Sequence, residues 1–554
     1  MSIIKLSEAN CHHCMRCVRI CPTNAMTYVN NQAIIDEKEC ILCGKCYAIC
    51  PHSAKFVQSD LSQIKTYLNN HEDIVLSVAP SYVRVFPSFK HLKEKALEAG
   101  FMAVEETAIG AKAVSEQYLA LMEEGKMDNI IATSCPAAVS YVQKYFPNCV
   151  KYLAPVASPM LVHAKMLKEK YPLAKVVFLT PCIAKKAEAL KKELGTLVDA
   201  TITAEELLQI LNDDFKDDVR DACIDDNVAR IYPLAGGTLK TLTKNCDYKK
   251  LHVENIDNIK KVLTALENGD LHHYFIEMSA CDNSCINGPL LAHINDQEYK
   301  ALDIIENTIK GNKQLEAKTL DERFKVTYEA EEVKEKTYSL QEIQDVLYVM
   351  GKTVESDELN CGACGYETCR LKAQAVLNGK ADINLCLPKA LKDAKSYANL
   401  IITNTPNGII VLDELFNIEE INLAAKRMLE VEDISVKGLP IAMLLNDAGL
   451  LRNLKTVHNV QYYKCEYEKY NLTIDHAIIK VKDSNKYIII LMDITVETIK
   501  EKKLNAIRRQ TIEVTDRVID EQMRTVQEIA SLLGESTAKA KVALTNLKRE
   551  LENE

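Results

Sequence analysis

The chain runs to 554 residues with 68 Lys+Arg against 78 Asp+Glu, a formal net charge of -10 at pH 7, 47% hydrophobic residues and no Trp. That length calls for three or four domains, and an acidic balance without a basic, aromatic-laced stripe argues against a nucleic-acid surface. No apolar run approaches the roughly 18 residues of a spanning helix, so no membrane segment is expected. Twenty cysteines stand out. The first residues, Met1-Ser2-Ile3-Ile4-Lys5, lead to Cys11 with no signal-peptide core. A cytoplasmic, reducing location is therefore expected, in which cysteines serve as metal ligands rather than disulfides.

In chain order, residues 1–56 carry two copies of Cys-x2-Cys-x2-Cys-x3-Cys-Pro: Cys11, Cys14, Cys17 and Cys21, then Cys40, Cys43, Cys46 and Cys50. This is the spacing of a bacterial two-cluster ferredoxin, in which the fourth cysteine of each run ligates the other cluster. Cys11, Cys14, Cys17 and Cys50 would hold one 4Fe-4S cluster, and Cys40, Cys43, Cys46 and Cys21 the second. Zinc ribbons use ligands in two pairs, which fits this duplicated pattern less well. The implied role is electron relay.

Residues 57–330 alternate short apolar strands with helical stretches, the mark of an α/β domain. Cys135 follows the apolar run Asn129-Ile130-Ile131-Ala132, and Cys182 follows Lys175-Val176-Val177-Phe178-Leu179. Both runs predict buried strands, and a cysteine just past such a strand can point into a cleft. Cys281 and Cys285 form a further pair. Singly, these cysteines also fit ordinary buried core thiols.

Taken together, Thr133-Ser134-Cys135-Pro136, Thr180-Pro181-Cys182-Ile183-Ala184-Lys185-Lys186-Ala187-Glu188 and Ala280-Cys281-Asp282-Asn283-Ser284-Cys285-Ile286-Asn287-Gly288-Pro289 resemble the three signatures of the FeFe-hydrogenase catalytic domain. The resemblance implies an H-cluster: a 4Fe-4S cluster on the four thiolates, bridged through the last to a diiron unit with CO, cyanide and a bridging dithiolate. It extends to Ala79, Pro80 and Ser81, which would embrace the diiron ligands, and to Gly236 and Gly237, a turn lining the same cavity. Lys185 lies where the family lysine donates to a cyanide, whereas Lys186 reads as a solvated helix lysine. Glu188 and, more remotely, Glu116 are candidate proton-path carboxylates.

Departures from the family are as informative. Ser134 stands where catalytic members place a proton-passing cysteine, and a hydroxyl is a far weaker acid than a thiol of reference pKa about 8.5. Thr180 and Ser279 replace two methionines that pack on the diiron unit, Ala138 replaces an aromatic residue, and the glycine-rich stretch shortens to Gly288-Pro289. The surroundings change while every ligand stays, which should retune proton access and potential.

Residues 331–395 hold a third motif, Cys361, Cys364 and Cys369 with Cys386, which looks like a small four-cysteine 4Fe-4S domain. Zinc is the alternative. Gly362 and Gly365 let the backbone approach the sulfides, and 370–376 reads as a helix returning Cys386 to the site. Cys149, Cys223, Cys246 and Cys465 lack partners at ligand spacing and read as plain thiols. Residues 396–500, from Asn404-Thr405-Pro406-Asn407-Gly408 to a closing strand through Thr495, look like a PAS domain. Its two histidines, His458 and His476, have no haem context. In 501–554, Leu504, Ile507, Thr511, Val514 and Val518, then Met523, Val526, Ala530 and Leu533, form an amphipathic stripe. The stripe suits a coiled coil between two protomers or a helix packed on the PAS domain.

The order of parts resembles the sensory group of FeFe-hydrogenases. It implies a ferredoxin-type hydrogenase of low turnover, with H2 and protons as substrates and a redox carrier such as ferredoxin. Diiron maturation proteins would supply the cofactor, and a separate signalling protein would act downstream of a homodimer. An ordinary catalytic hydrogenase, and an iron-sulfur transfer or assembly protein lacking the diiron unit, are the alternatives.

Overall fold

The computed structural model describes residues 3–551 apart from 30–31, 192–195, 213–214, 216–226, 244–246, 295–297, 309–314, 335 and 483. Cys223 and Cys246 lie outside the described residues. The chain divides into two units, Met1–Ala390 and Leu391–Glu554.

The first unit opens with four short strands, β1 (Ile4–Leu6), β2 (Met26–Val29), β3 (Gln32–Ile35) and β4 (Lys55–Val57). β1 pairs antiparallel with β4, which closes the region end to end, and β2 pairs with β3. The cysteine runs lie between them, on loops that lead into the short helices Arg16–Ile20 and Lys45–Ala48.

Two parallel sheets follow. β5 (Ile74–Val78), β6 (Ala103–Glu106), β8 (Lys175–Leu179) and β9 (Ala200–Ile202) form one, in the order β6-β5-β8-β9; β7 (Ile130–Ile131), β10 (Lys249–Glu254) and β11 (Tyr274–Ser279) form the other, in the order β10-β11-β7. All five residues of β5 and the last four of β8 are buried. Such continuous apolar strands belong to parallel sheets covered on both faces by crossover helices. The register puts Val78 beside Leu179 in one sheet and Glu254 beside Ser279 in the other, so these strand ends line up, while β7 stops opposite Ile276, three residues before the end of β11. Every signature follows such an end: β5 runs into Ala79-Pro80-Ser81, β7 toward Ser134-Cys135, β8 into Thr180-Pro181-Cys182, and β11 into Ala280-Cys281. The carboxyl edge of open parallel sheets is where α/β folds place their sites.

Two elements finish this unit: the helix Leu340–Val349, closed by a capping box of Ser339 with Glu342, and the helix Cys369–Leu377, capped by Thr368. Ile343, Leu347 and Ala373 pack between them.

The helix Leu387–Asn404 crosses the boundary into the second unit. There β12 (Gly408–Leu412), β13 (Ile418–Ile421), β14 (Val460–Tyr467), β15 (Leu472–Lys480) and β16 (Tyr487–Asp493) build an antiparallel sheet in the order β13-β12-β16-β15-β14. Ile410, Ile474, Ile478, Ile489 and Leu491 fill its core against Leu445, Leu450 and Leu454. A single helix, Thr495–Leu551, follows. It starts inside the stretch read from sequence as the closing strand, because the Asp493 carboxylate accepts from the Thr495 backbone N–H (2.9 Å) and hydroxyl (2.5 Å) and begins a turn. Lys502 pairs with Glu466 at 2.8 Å, but residues 501–546 are otherwise exposed, including Leu504, Ile507, Val514 and Val518. The stripe therefore does not pack on the PAS-like sheet. Among the described residues no helix is long and apolar enough to cross a membrane.

Candidate metal centres

The two N-terminal cysteine runs interleave. Cys11, Cys14, Cys17 and Cys50 line one small pocket. Cys21 lies within electrostatic reach of Cys40, Cys43 and Cys46, so the fourth cysteine of the first run joins the second set. Burial pushes the Cys43 thiol up to about 12. Among the described residues no group of three or more Cys, His, Asp or Glu is tight enough to hold a single metal ion. Tetrahedral zinc, with Zn–S bonds of about 2.3 Å, needs thiolates about 3.8 Å apart, whereas a four-iron cubane spreads its thiolates wider. Four soft thiolates in each set suit an iron-sulfur cluster.

Cys361, Cys364, Cys369 and Cys386 line a third pocket. Gly362 and Gly365 take positive φ of 66° and 95°, and a Cβ on Gly365 would meet Val18 at 2.8 Å. The absence of that atom lets the third motif seat on the helix that follows Cys14. Further contacts hold it there: the Tyr28 N–H donates to the Lys380 carbonyl at 3.0 Å, Lys380 pairs with Glu39, and buried Tyr366 has both Cys364 and Cys21 as charged neighbours.

Cys135, Cys182, Cys281 and Cys285 face a cavity of about 100 Å³. They come from three strand ends in two sheets, yet Cys281 lies within electrostatic reach of Cys182, Cys135 and Cys285, and of Cys43 of the dicluster region. Burial, reinforced by Cys135, pushes Cys182 up to about 11. Ala79, Pro80, Ser81, Ser134, Lys185 and Ser279 line the same cavity. The loop bearing Cys285 is held by buried Arg84, whose guanidinium donates to the Ile286 carbonyl (3.3 Å) and the Asn287 side chain (3.4 Å). Four soft donors in a mostly apolar, buried cup suit a four-iron cluster, and the space beyond them suits a small uncharged or anionic group.

Lys185 and Glu188, one turn apart, form an ion pair of 2.7 Å; Glu188 also accepts from Ser158 at 2.9 Å and opens onto a separate groove rather than the cavity. Thr180 does not face the cavity: its hydroxyl bridges the backbone of Cys182, 3.0 Å from both its N and its O, and so orients that thiol. Gly236 and Gly237 do not line it either. A Cβ on Gly237 would lie 2.1 Å from the Ile231 carbonyl, so the glycines serve a tight turn that presents Thr238 and Leu239. Glu116 pairs with Lys318 at 2.8 Å, away from the cavity. Lys186 is buried, not solvated; it reaches Asp60 at 3.6 Å and the Thr201 carbonyl at 3.4 Å. Cys149 is fully buried beside the Leu263 carbonyl, and Cys465 is partly exposed. His476 is buried between the Tyr467 hydroxyl (3.1 Å) and the Tyr463 carbonyl (2.8 Å), while His458 is exposed.

Sequence reading missed the polar lining. Glu277 is buried on the cavity wall, accepts from the Leu239 N–H at 3.0 Å and from Thr238, and is pushed up by burial to about 7. Its position in β11, two residues before Ser279, was the available signal. Ser134 meets the Tyr118 hydroxyl at 3.4 Å. Ser279 meets Ser284 at 3.0 Å, and Ser284 donates to Glu254 at 2.9 Å, giving a hydrogen-bonded run from the cavity wall to a carboxylate 23% exposed.

Comparison with known proteins agrees with this layout. Residues 72–289 match the family model described as "Iron only hydrogenase large subunit, C-terminal domain", 3–51 match a "4Fe-4S dicluster domain", 357–388 an Fe-S cluster family and 397–460 a "PAS domain". Iron hydrogenase 1 of Clostridium pasteurianum is 23% identical over 390 residues, covering 54% of this chain and 67% of that one. The cytosolic Fe-S cluster assembly factor NAR1 of Kluyveromyces lactis is 32% identical over 90 residues, covering 16% of this chain and 19% of its own. A structure of a variant of the FeFe-hydrogenase HydA1 from Chlamydomonas reinhardtii aligns at 16% identity and TM-score 0.38, covering 50% of this chain and all of that one. Residues 72–289 thus match an iron-only hydrogenase domain in sequence and bring four cysteines together at strand ends, preceded by a match to a 4Fe-4S dicluster domain and followed by matches to a further Fe-S motif and a PAS domain.

Proposed function

We propose that the chain binds H2 and interconverts it slowly with protons and electrons at a diiron group held against the four-cysteine cavity, and that the resulting redox state is a signal rather than a metabolic flux. The observation that supports this reading is the convergence of Cys135, Cys182, Cys281 and Cys285 with Lys185 and Ala79-Pro80-Ser81 on one cavity. Cys285 would carry the bridge, and the bound group would supply heterolytic cleavage of H2. The chain's own residues do the rest. Lys185, oriented by Glu188, keeps ammonium donors for an anionic ligand in the cavity. Ser134 offers a hydroxyl where a better acid would give fast transfer, which keeps turnover low. Ser279, Ser284 and Glu254 offer a second route by which a proton can leave. Cys43 on the cavity wall puts the dicluster region next to the cavity to take electrons, and a carrier such as ferredoxin can collect them.

Signal output would pass through the PAS domain to a homodimer formed along the bare stripe of Thr495–Leu551, and on to a separate protein. A second reading, an iron-sulfur protein without the diiron group, draws support from the local likeness to the assembly factor and from Ser134 in place of a stronger acid. Infrared spectroscopy of protein loaded with the diiron cofactor, under nitrogen and then H2, separates the two. CO and cyanide bands that shift under H2 support the first reading; their absence after loading favours the second.

A further inference from the structure

Four lysines are buried among the described residues: Lys55, Lys186, Lys352 and Lys372. Lys186 has Asp60 within reach. The other three all line cysteine pockets, Lys55 that of Cys11, Cys14, Cys17 and Cys50, and both Lys352 and Lys372 that of the third motif. An ammonium taken out of water needs a counter-charge or its burial is strongly unfavourable. Lys372 lies one turn after Cys369, is 1% exposed, and donates to the Leu385 carbonyl, a neutral partner. The titratable groups facing it are Cys364, Cys386, Asp382 and Cys369, and the three cysteines line the same pocket. Lys352 is 6% exposed, lines the same pocket and donates to the Asp357 carbonyl at 2.6 Å, again a neutral partner.

We propose that Lys352 and Lys372 raise the reduction potential of a four-iron cluster on Cys361, Cys364, Cys369 and Cys386 above those of the two N-terminal clusters, so that electrons from the hydrogenase-type domain come to rest at the third site. The inference rests on the reading of the third motif as a cluster site. A cubane with four thiolates is anionic and gains a further negative charge on reduction, so fixed buried cations favour the reduced form. The two N-terminal sites share the single buried Lys55, which hydrogen-bonds Cys17 and also faces Cys46. The third site has two such cations to itself. Its docking through Tyr366 toward Cys21 supplies the electron path.

The test is an EPR-monitored redox titration of the full-length, anaerobically reconstituted protein beside its Lys372→Gln, Lys352→Gln and double variants, with Cys369→Ala used to assign the third-site signal by its loss. Glutamine keeps a donor for the carbonyl and removes the charge. The expected result is that the third-site signal is the first to be reduced in the parent chain. It should move to lower potential in each single variant and further in the double, while the other accessory signals stay in place. A third-site signal reduced last in the parent, or unmoved in both single variants, overturns the proposal. Should Lys372→Gln fail to fold, Lys352→Gln alone decides. Iron and sulfide content unchanged by Cys369→Ala would instead overturn the cluster reading beneath it.

Discussion

The dicluster region and the hydrogenase-type cavity both gather cysteines, but they do so by opposite means. In the first, each set draws most of its ligands from one contiguous run and only one from the other, on loops between strands of three or four residues. In the second, four cysteines come from three loops spread over 150 residues, and they meet because those loops leave the carboxyl ends of strands in two parallel sheets. A motif that is local in sequence tolerates a modest scaffold, whereas a dispersed one depends on the whole α/β core. Perturbations should therefore separate the two regions.

The largest separation is expected from Cys285→Ala, which should remove the cavity's four-iron cluster and any diiron loading while the accessory clusters survive; iron content together with EPR would measure it. A loss of all clusters would mean that the regions are not independent. Next is Glu106→Ala, which breaks the buried Arg230–Glu106 pair at 2.6 Å, Glu106 being next in sequence to Thr107 of the cavity lining. Removing one partner of such a pair costs about 3–5 kcal/mol, to be read as a lower chemical-denaturation midpoint. Accessory cluster signals should persist beyond the loss of the cavity's cluster.

The third comparison uses pH. Glu277 is raised by burial to about 7, so between about 4.5 and 7 the folded chain holds a proton that the unfolded chain has released. Stability should accordingly fall as pH rises through that window and stay lower above it, by at most about 3 kcal/mol. Glu277→Gln should flatten the slope, and an unchanged slope in thermal melts would show that another group carries it. Ser134→Cys addresses the chemistry: H2 evolution from an artificial electron donor should rise roughly tenfold or more if proton transfer limits turnover. The smallest effect belongs to the accessory side. Gly365→Ala places a Cβ at φ 95° and against Val18, with a backbone cost of about 1–2 kcal/mol. It should loosen the third motif's seat on the dicluster region and leave the cavity's infrared bands alone.

The strands before Cys135 and Cys182, the helix after Cys369 and the long terminal helix were legible in the sequence because each rests on local periodicity or on a cysteine run. The cavity's polar lining was not. Glu277 and Glu254 sit in strands whose neighbours are fixed by sheet register, and nothing in their own surroundings in sequence marks them. Gly236 and Gly237 were assigned to the cavity wall by resemblance, but the carbonyl of Ile231 shows that their smallness serves a turn behind it. Lys186 was misplaced because a helix lysine beside another lysine gives no sign of the Asp60 that receives it.

One close contact bears on how the molecule comes to be made. Gly44, at φ 76°, has no room for a side chain because Pro289 stands 2.5 Å from where its Cβ would be, and its neighbour Cys43 forms part of the cavity wall. The cavity is thus bounded by a segment that leaves the ribosome some 240 residues before its last ligand, Cys285. During synthesis the dicluster region can take up iron and fold while the hydrogenase-type core is still incomplete. Gly288-Pro289, made later, packs against that surface. A chain lacking the residues before Ile49 would keep all four cavity cysteines and lose Cys43 from the wall, so retention of a group bound there would depend on the dicluster region as well as on the four thiols.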